Sequence, residues 1–219
     1  SGDAWDIVLD PSKVVSVLPI VSILTLAATG SEMDTFAVIS DMESNDKIGT
    51  SHEDMRPKAS ILDPTYTFSV PAYQTAAGTA DIMSHIMECY FSNVQGYMQD
   101  RMAEGLLKTC IEFGVKAIAK PDDYEARANL MWASSWAINN FIKLGKAVEW
   151  SVHPMEHQLS AYYDITHGVG LAILTPHWME HVLNDNTVEK FKEFGVNVWD
   201  LSKDEDAYTI AHQAIQKTR

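Results

Sequence analysis

The sequence predicts an α/β segment followed by a mostly α-helical region. Up to Val70, short apolar runs rich in β-branched residues alternate with turn-forming stretches, which is typical of strands. After Pro71, apolar residues recur at helical spacing, and Pro121 and Gly145 separate the candidate helices. We therefore divide the chain into an α/β part, residues 1–70, and an all-α part, residues 71–219.

Three apolar runs predict buried strands in the first part. They are PIVSILTL, FAVISD and ASILDP, and each is closed by turn-forming residues. The small-residue loop AATGSE follows the first run. Residues 42–58 are polar and rich in turn formers, so we expect turns there.

Successive helices are predicted in the second part. Asp122 or Asp123 is placed to cap the third of them. The sequence contains no internal repeat and no low-complexity tract. The predicted helices cover residues 72–92, 96–119, 122–144, 147–163, 168–183 and 188–194, and a last one follows Ser202.

Composition excludes several classes of function. The 219 residues carry a net charge of −14 without a compensating basic cluster, which argues against nucleic-acid binding. No apolar run approaches the roughly 18 residues that a membrane-spanning helix needs, so no membrane partner is expected. Two cysteines, Cys89 and Cys110, are too few for a disulfide framework and indicate the cytoplasm. Because the chain begins with Ser1 and ends at Arg219 within an amphipathic pattern, we expect a fragment.

Asp81 and His85 are the first candidate functional residues. They are four residues apart in a predicted helix, so their side chains lie on one face. The same face carries Gly78 and Glu88. Such a mixture is unusual for a solvated face, and a glycine there suits close approach of another backbone or a cofactor. Taken alone, the pair would be interpreted as a surface ion pair.

A histidine cluster further along the chain changes that interpretation. His153 and His157 repeat the four-residue spacing. His167 follows in ITHGVG, where we expect a turn, and Gly168 and Gly170 allow that turn to fold back toward the first helix.

Together the two segments offer four metal ligands. One carboxylate and three imidazoles suit a divalent cation such as Fe(II) or Zn(II), which keeps positive charge to polarise a substrate oxygen. The predicted ligands are Asp81, His85, His153 and His167.

Two other interpretations stay open. HPMEH fits the H-x-x-E-H pattern of a zinc hydrolase, with His153 and His157 as ligands and Glu156 as the base. The segment from His177 to His181 fits the same pattern, which shows its low specificity. Alternatively, the metal only stabilises a helical domain and has no open coordination position.

Four long motifs carry a resemblance to a known family. They are LTLAATGSEMDTFAVISD, ASILDPTYTFSVP, GTADIMSHIMECYFS and HPMEHQLSAYYDITHGVGLAILTP. With them the chain resembles the iron-containing (group III) alcohol dehydrogenases, in the branch of butanol dehydrogenases and broad-range aldehyde reductases. The resemblance implies a proton-relay role for His157 beside the nicotinamide. The metal ligands it implies are Asp81, His85, His153 and His167.

The resemblance also implies contacts to a cofactor, NAD or NADP. A Thr/Gly/Ser loop after a strand suits phosphate or ribose oxygens. Lys47 would add positive charge, although without the family it would be interpreted as a solvated lysine. Leu26 and Ala28 depart from the family pattern, since many relatives have TTAGTGSE where this chain has TLAATGSE. The implied cofactor contacts are Thr25, Thr29, Val38, Lys47 and Tyr66.

The fold implied by the resemblance is the C-terminal part of a Rossmann-like nucleotide-binding domain plus an all-helical metal-binding domain. The chain contains no G-x-G-x-x-G motif, so the family's glycine-rich lobe is expected outside it. The implied activity is hydride transfer between NAD(P)H and an aldehyde or primary alcohol such as butanal or butanol, and a homodimer is expected by analogy. Trp150 and Tyr162 are candidate walls of the substrate pocket.

Overall fold

The computed structural model describes residues 3–219 and confirms a short α/β part followed by helices. Residues 1 and 2 of the predicted first part lie outside the described range, and the division at residue 70 stays a prediction. No helix between residues 3 and 219 is long and apolar enough to cross a membrane. The first part contains α1 (Ala4–Leu9), β1 (Val21–Ile23), β2 (Phe36–Asp41), β3 (Asp46–Ser51) and β4 (Ala59–Ile61).

The strands form two separate pairs. β1 pairs in parallel with β4, and β2 forms an antiparallel hairpin with β3, in which Phe36 lies opposite Ser51. β3 lies within residues 42–58, where the sequence indicated only turns, and that prediction is wrong. Asn45 adopts a φ of 57°, which permits the tight turn, and pairing with β2 then fixes DKIGTS as a strand.

The β1–β4 pair and β2 are largely exposed, contrary to the prediction of three buried strands. Val21, Ile23 and Ile61 are 66%, 56% and 51% exposed. Parallel strands are normally covered on both faces, but within residues 3–219 each strand of this pair has a single neighbour. Their apolar character alone therefore does not decide their burial.

Seven helices follow within the described residues, and three of the six with predicted bounds lie within two residues of them. The predicted helix 188–194 continues to Trp199. The predicted helix 122–144 ends early at Ile138, because Asn140 has a φ of 78° and a short 3-10 turn follows. The predicted helix 147–163 begins only at Val152. The helices are α2 (Ala72–Tyr90), α3 (Tyr97–Ala119), α4 (Tyr124–Ile138), α5 (Val152–Tyr163), α6 (His167–Val182), α7 (Val188–Trp199) and α8 (Ala207–Thr218).

Helix α2 is the centre of the helical part. It packs against α3, α4 and α6. Ile82, Ile86 and Tyr90 on this helix are completely buried and join the main hydrophobic core. Cys89 and Cys110 are buried free thiols. A helix buried on nearly every side can place polar side chains in an interior where water does not compete for them.

Two glycines allow the backbones around α2 to approach closely. A Cβ atom at Gly78 would lie 2.6 Å from the carbonyl oxygen of Ala27. A Cβ atom at Gly168 would lie 1.9 Å from the carbonyl oxygen of Ala77. The close approach expected at Gly78 is therefore made by a backbone, and Gly168 fixes the start of α6 directly against α2.

Candidate metal centre

The four predicted metal ligands converge around one atom, Oδ1 of Asp81. The Nε2 atoms of His85 and His167 lie 3.6 Å from it, and Nε2 of His153 lies 3.7 Å from it. These separations are too long for hydrogen bonds. Donor atoms of Asp81, His85 and His153 all lie within 4.8 Å of one another, and His167 joins this set through its approach to Asp81.

Unpartnered buried atoms show that this donor set fits a cation. Oδ1 of Asp81 and Nε2 of His153 are both buried, and neither has a hydrogen-bond partner in the part of the chain that the structure describes. A buried polar atom without a partner costs free energy. One divalent ion between the donors would satisfy these atoms together, and carboxylate and imidazole donors suit iron or zinc.

His167 reaches the cluster from a helix terminus. It is the first residue of α6, whereas the sequence placed it in a turn, and that detail of the prediction is wrong. The difference arises because Gly168 and Gly170 belong to the first turn of α6, where the lack of a side chain permits packing against α2 and Glu156. The ligands therefore come from three helices.

Glu88 on α2 holds His153 in place. Its carboxylate is hydrogen-bonded to Nδ1 of His153 and accepts the backbone N–H groups of Val152 and His153, at 3.0 and 3.1 Å. Ser151 at the start of α5 makes no side-chain cap, so Glu88 supplies the capping acceptor from another helix. The contact to Nδ1 leaves Nε2 of His153 facing the cluster, as in carboxylate–histidine–metal arrangements.

Glu156 on α5 does the same for His167. Its completely buried carboxylate is hydrogen-bonded to Nδ1 of His167 and to the hydroxyl of Ser160. Nζ of Lys47, on β3, lies 3.5 Å from the same carboxylate. Burial raises the pKa of Glu156, but these hydrogen bonds outweigh burial and lower it. Glu156 thus remains ionised and links Lys47 of the hairpin to His167, a candidate metal ligand.

The donor set favours positive charge at its centre. Burial raises the pKa of Asp81, but the neighbouring histidines outweigh burial and lower it to about 2. Burial lowers the pKa of His85 to about 4, against the attraction of Asp81. Burial also lowers the pKa of His153, but the carboxylates of Asp81 and Glu88 raise it to about 9. A bound cation would take the place of that proton.

A cleft of about 710 Å³ opens beside the donor set. Thr29, Val38 and Lys47 from the first part of the chain line it, as do His157 and all four metal donors. Thr25 and Tyr66, also expected to contact a cofactor, are exposed and do not line this cleft. Trp150 is part of the wall, whereas Tyr162 is 66% exposed and is not.

The opening of the donor set toward the cleft argues against a closed structural metal site. The side chain of His167 is 29% exposed, against 4% for that of Asp81. The zinc-hydrolase interpretation is also not favoured. Glu156 is completely buried and already bonded to His167 and Ser160, so it is not free to act as a general base.

The positioning role of two carboxylates was not predicted from the sequence. Glu88 lies on the same helical face as Asp81, and this spacing was a usable signal. Glu156 was considered only as a hydrolase base. Asp34, another buried carboxylate, lines the cleft beside Asp81, and burial raises its pKa to about 7.

Two family models match the chain. The model described as the C-terminal part of the Fe-containing alcohol dehydrogenase family matches residues 75–218, and the model for iron-containing alcohol dehydrogenase matches residues 2–64. The first match contains all four candidate metal ligands. The second contains the loop and hairpin that line the cleft.

Characterised relatives and a solved structure agree with these matches. NADH-dependent butanol dehydrogenases B and A of Clostridium acetobutylicum are 69% and 67% identical over the whole chain, which covers 56% of each. The crystal structure of NADH-dependent butanol dehydrogenase A from Thermotoga maritima has a TM-score of 0.94 at 38% identity, covering 99% of this chain and 54% of that one. The chain thus spans about half the length of these relatives.

Proposed function

Because the chain belongs to the iron-containing alcohol dehydrogenase family, we propose that it forms the metal-binding part of an oxidoreductase. The reaction would be hydride transfer between NAD(P)H and an aldehyde or primary alcohol, with butanal and butanol as the first substrates to test. The observation that carries the proposal is the convergence of three imidazole nitrogens on Asp81 at the wall of an open cleft. The names of the relatives favour NADH over NADPH.

The proposed metal ligands are Asp81, His85, His153 and His167. Fe(II) or Zn(II) held by them would supply Lewis-acid polarisation of a substrate oxygen, and the nicotinamide would supply the hydride chemistry. Glu88 and Glu156 fix the tautomer and ring orientation of His153 and His167, so that each Nε2 faces Asp81. The low exposure of Asp81 keeps water from its carboxylate.

His157 is the proposed proton-transfer residue. It lines the cleft, and its ring centroid lies 5.6 Å from that of His167. Burial and the charge of Lys47 lower its pKa to about 4, below the ordinary value expected from sequence. A neutral imidazole near pH 7 can accept the hydroxyl proton when an alcohol is oxidised. In the opposite direction it can return that proton to the oxygen of the alcohol formed from the aldehyde.

The first part of the chain would provide the cofactor contacts. Thr29, Val38 and Lys47 line the cleft beside His157, and Lys47 contributes positive charge there. Thr25 and Tyr66 stay in the proposal as exposed positions that a dinucleotide reaching beyond the cleft would contact.

Replacing His167 with alanine tests the proposal. We expect the variant to lose bound metal, measured by elemental analysis, and butanal-dependent NADH oxidation. His181→Ala is the matched control, since His181 is exposed on the same helix. Both measurements use the full-length oxidoreductase that contains this chain. Full-length wild-type protein that binds metal but turns over no aldehyde or alcohol with either NADH or NADPH would contradict the proposed function.

We also infer a homodimer located in the cytoplasm. The family resemblance supports the dimer, and the two buried free cysteines are compatible with a reducing compartment. Sedimentation equilibrium tests the oligomeric state, and a monomer at micromolar concentration would contradict this inference.

A further inference from the structure

Trp150 adopts an unusual backbone conformation beside the metal donors. It lies immediately before Ser151, the residue that precedes α5, and its φ is 51°. A bulky side chain is rarely found at positive φ, and the conformation costs of the order of 1 kcal/mol or more. Surrounding contacts must hold Trp150 in this conformation, and strain of this kind is concentrated at functional sites.

The indole ring packs edge-on against two metal donors. Its centroid lies 6.1 Å from the ring of His85 and 5.4 Å from the ring of His153, with interplanar angles of 77° and 89°. The rings of His85 and His153 are themselves stacked at 4.6 Å. Trp150 therefore forms the part of the cleft wall next to the position at which a substrate oxygen would bind.

Trp150 also lines a second cavity of about 310 Å³. Its apolar wall is formed by Phe91, Trp178, Val182 and Phe191, and Ala147 lies at its edge. Of the described residues that line the two cavities, Trp150 is the one common to both. Trp150 is thus the side chain shared by the metal-side cleft and a second chamber, whose lining combines this apolar wall with polar residues such as Asn93, Gln95 and Lys190.

We propose that Trp150 determines substrate chain length by closing the cleft against this chamber. The proposal rests on the proposed function, because it assumes that an aldehyde or primary alcohol binds beside the metal donors. A short aliphatic chain fits in front of the indole ring. A longer chain must pass through the position of that ring, so wild-type protein discriminates against it.

Removing the indole should join the two cavities and admit longer chains. Burial of one methylene group against the aromatic wall corresponds to roughly a fourfold gain in binding. Octanal has four more methylene groups than butanal, so complete burial would give a gain of about 200-fold. Partial burial should still raise the octanal-to-butanal ratio of kcat/KM by at least about tenfold in Trp150→Ala.

The experiment measures this ratio in wild type, Trp150→Ala, Trp150→Phe and the double variant Trp150→Ala/Ala147→Phe, with bound metal determined in parallel. We expect a large rise for Trp150→Ala, a small one for Trp150→Phe, and reversal in the double variant, because the phenylalanine refills the chamber. Ala147→Phe alone should leave butanal turnover unchanged, since residue 147 lies outside the metal-side cleft.

An unchanged ratio in metal-loaded Trp150→Ala would overturn the proposal. So would loss of metal in both Trp150→Ala and Trp150→Leu, because Trp150 would then support the ligands rather than limit chain length. A gain that the double variant does not reverse would show that the chamber does not receive the chain. Failure of the proposed function is distinguishable, because it would appear as an absence of butanal turnover in wild type.

Discussion

Replacing Glu156 with glutamine should weaken metal binding without removing any of the four proposed metal ligands. Glu156 is completely buried and is hydrogen-bonded to Nδ1 of His167. Glutamine has nearly the same shape and can still accept one hydrogen bond through its amide oxygen. Glutamine lacks the negative charge that favours His167 as a ligand. In wild type that charge also balances Lys47, whose Nζ lies 3.5 Å from the Glu156 carboxylate.

The expected magnitude follows from the type of bond that is lost. A hydrogen bond to a charged group contributes about 1.5–3 kcal/mol, whereas a neutral one contributes about 0.5–1.5 kcal/mol. The difference of about 1–2 kcal/mol corresponds to a loss of roughly 5- to 30-fold in metal affinity. Removal of such supporting groups in metal sites generally costs 10- to 100-fold, which overlaps this range.

Competition with a chromophoric chelator measures the effect directly, using Zn(II) or Co(II) and the metal-free protein. Lys47→Met is the informative companion, because it removes the cation and leaves the Glu156–His167 contact in place. Glu149→Gln is the control, since it removes an exposed carboxylate. In a His167→Ala background, Glu156→Gln should have little additional effect. A metal dissociation constant unchanged in Glu156→Gln would refute the reasoning.

Three further predictions concern turnover, packing and pH dependence. His157→Ala should lower kcat by about 100- to 10,000-fold while bound metal stays unchanged, and metal analysis beside steady-state kinetics checks this. Gly168→Ala should lower the free energy of unfolding by several kcal/mol and release metal, because the new Cβ would meet the Ala77 carbonyl. The control is Gly105→Ala, where the new Cβ would lie in open space, and this change should be neutral or stabilising by about 1 kcal/mol. The pKa of Asp34 is raised by burial to about 7, so its stabilising contribution is fully present below about pH 4 and lost as pH rises through 7. Asp34→Asn should therefore raise the free energy of unfolding at pH 8, by at most about 4 kcal/mol, and leave it nearly unchanged at pH 4, as urea titrations at the two pH values would show.

The local sequence pattern was sufficient to predict much of this site. The spacing of Asp81 and His85 placed both on one helical face, and the structure keeps them there. The bounds of α2 and α3 were predicted to within two residues, because Pro71 and Gly96 lie directly before them. Such features depend on contacts between residues close in sequence, which propensity and periodicity describe well.

Strand burial and strand pairing were predicted less well. DKIGTS has little strand propensity of its own and becomes β3 because β2 pairs with it. Val21 and Ile23 are apolar but exposed, since burial depends on which elements cover a strand rather than on its composition.

The sequence by itself supplied the candidate donor set, one aspartate and three histidines, of which Asp81 and His85 stand at helical spacing. Only the tertiary structure decided that Glu88 and Glu156 orient two of those histidines, and that Trp150 lines two cavities. The physical reason is distance along the chain. Glu88 and His153 are 65 residues apart, and α6 packs against both of their helices, α2 and α5. Their contact therefore forms only in the folded chain, in an interior where a buried carboxylate must find a partner.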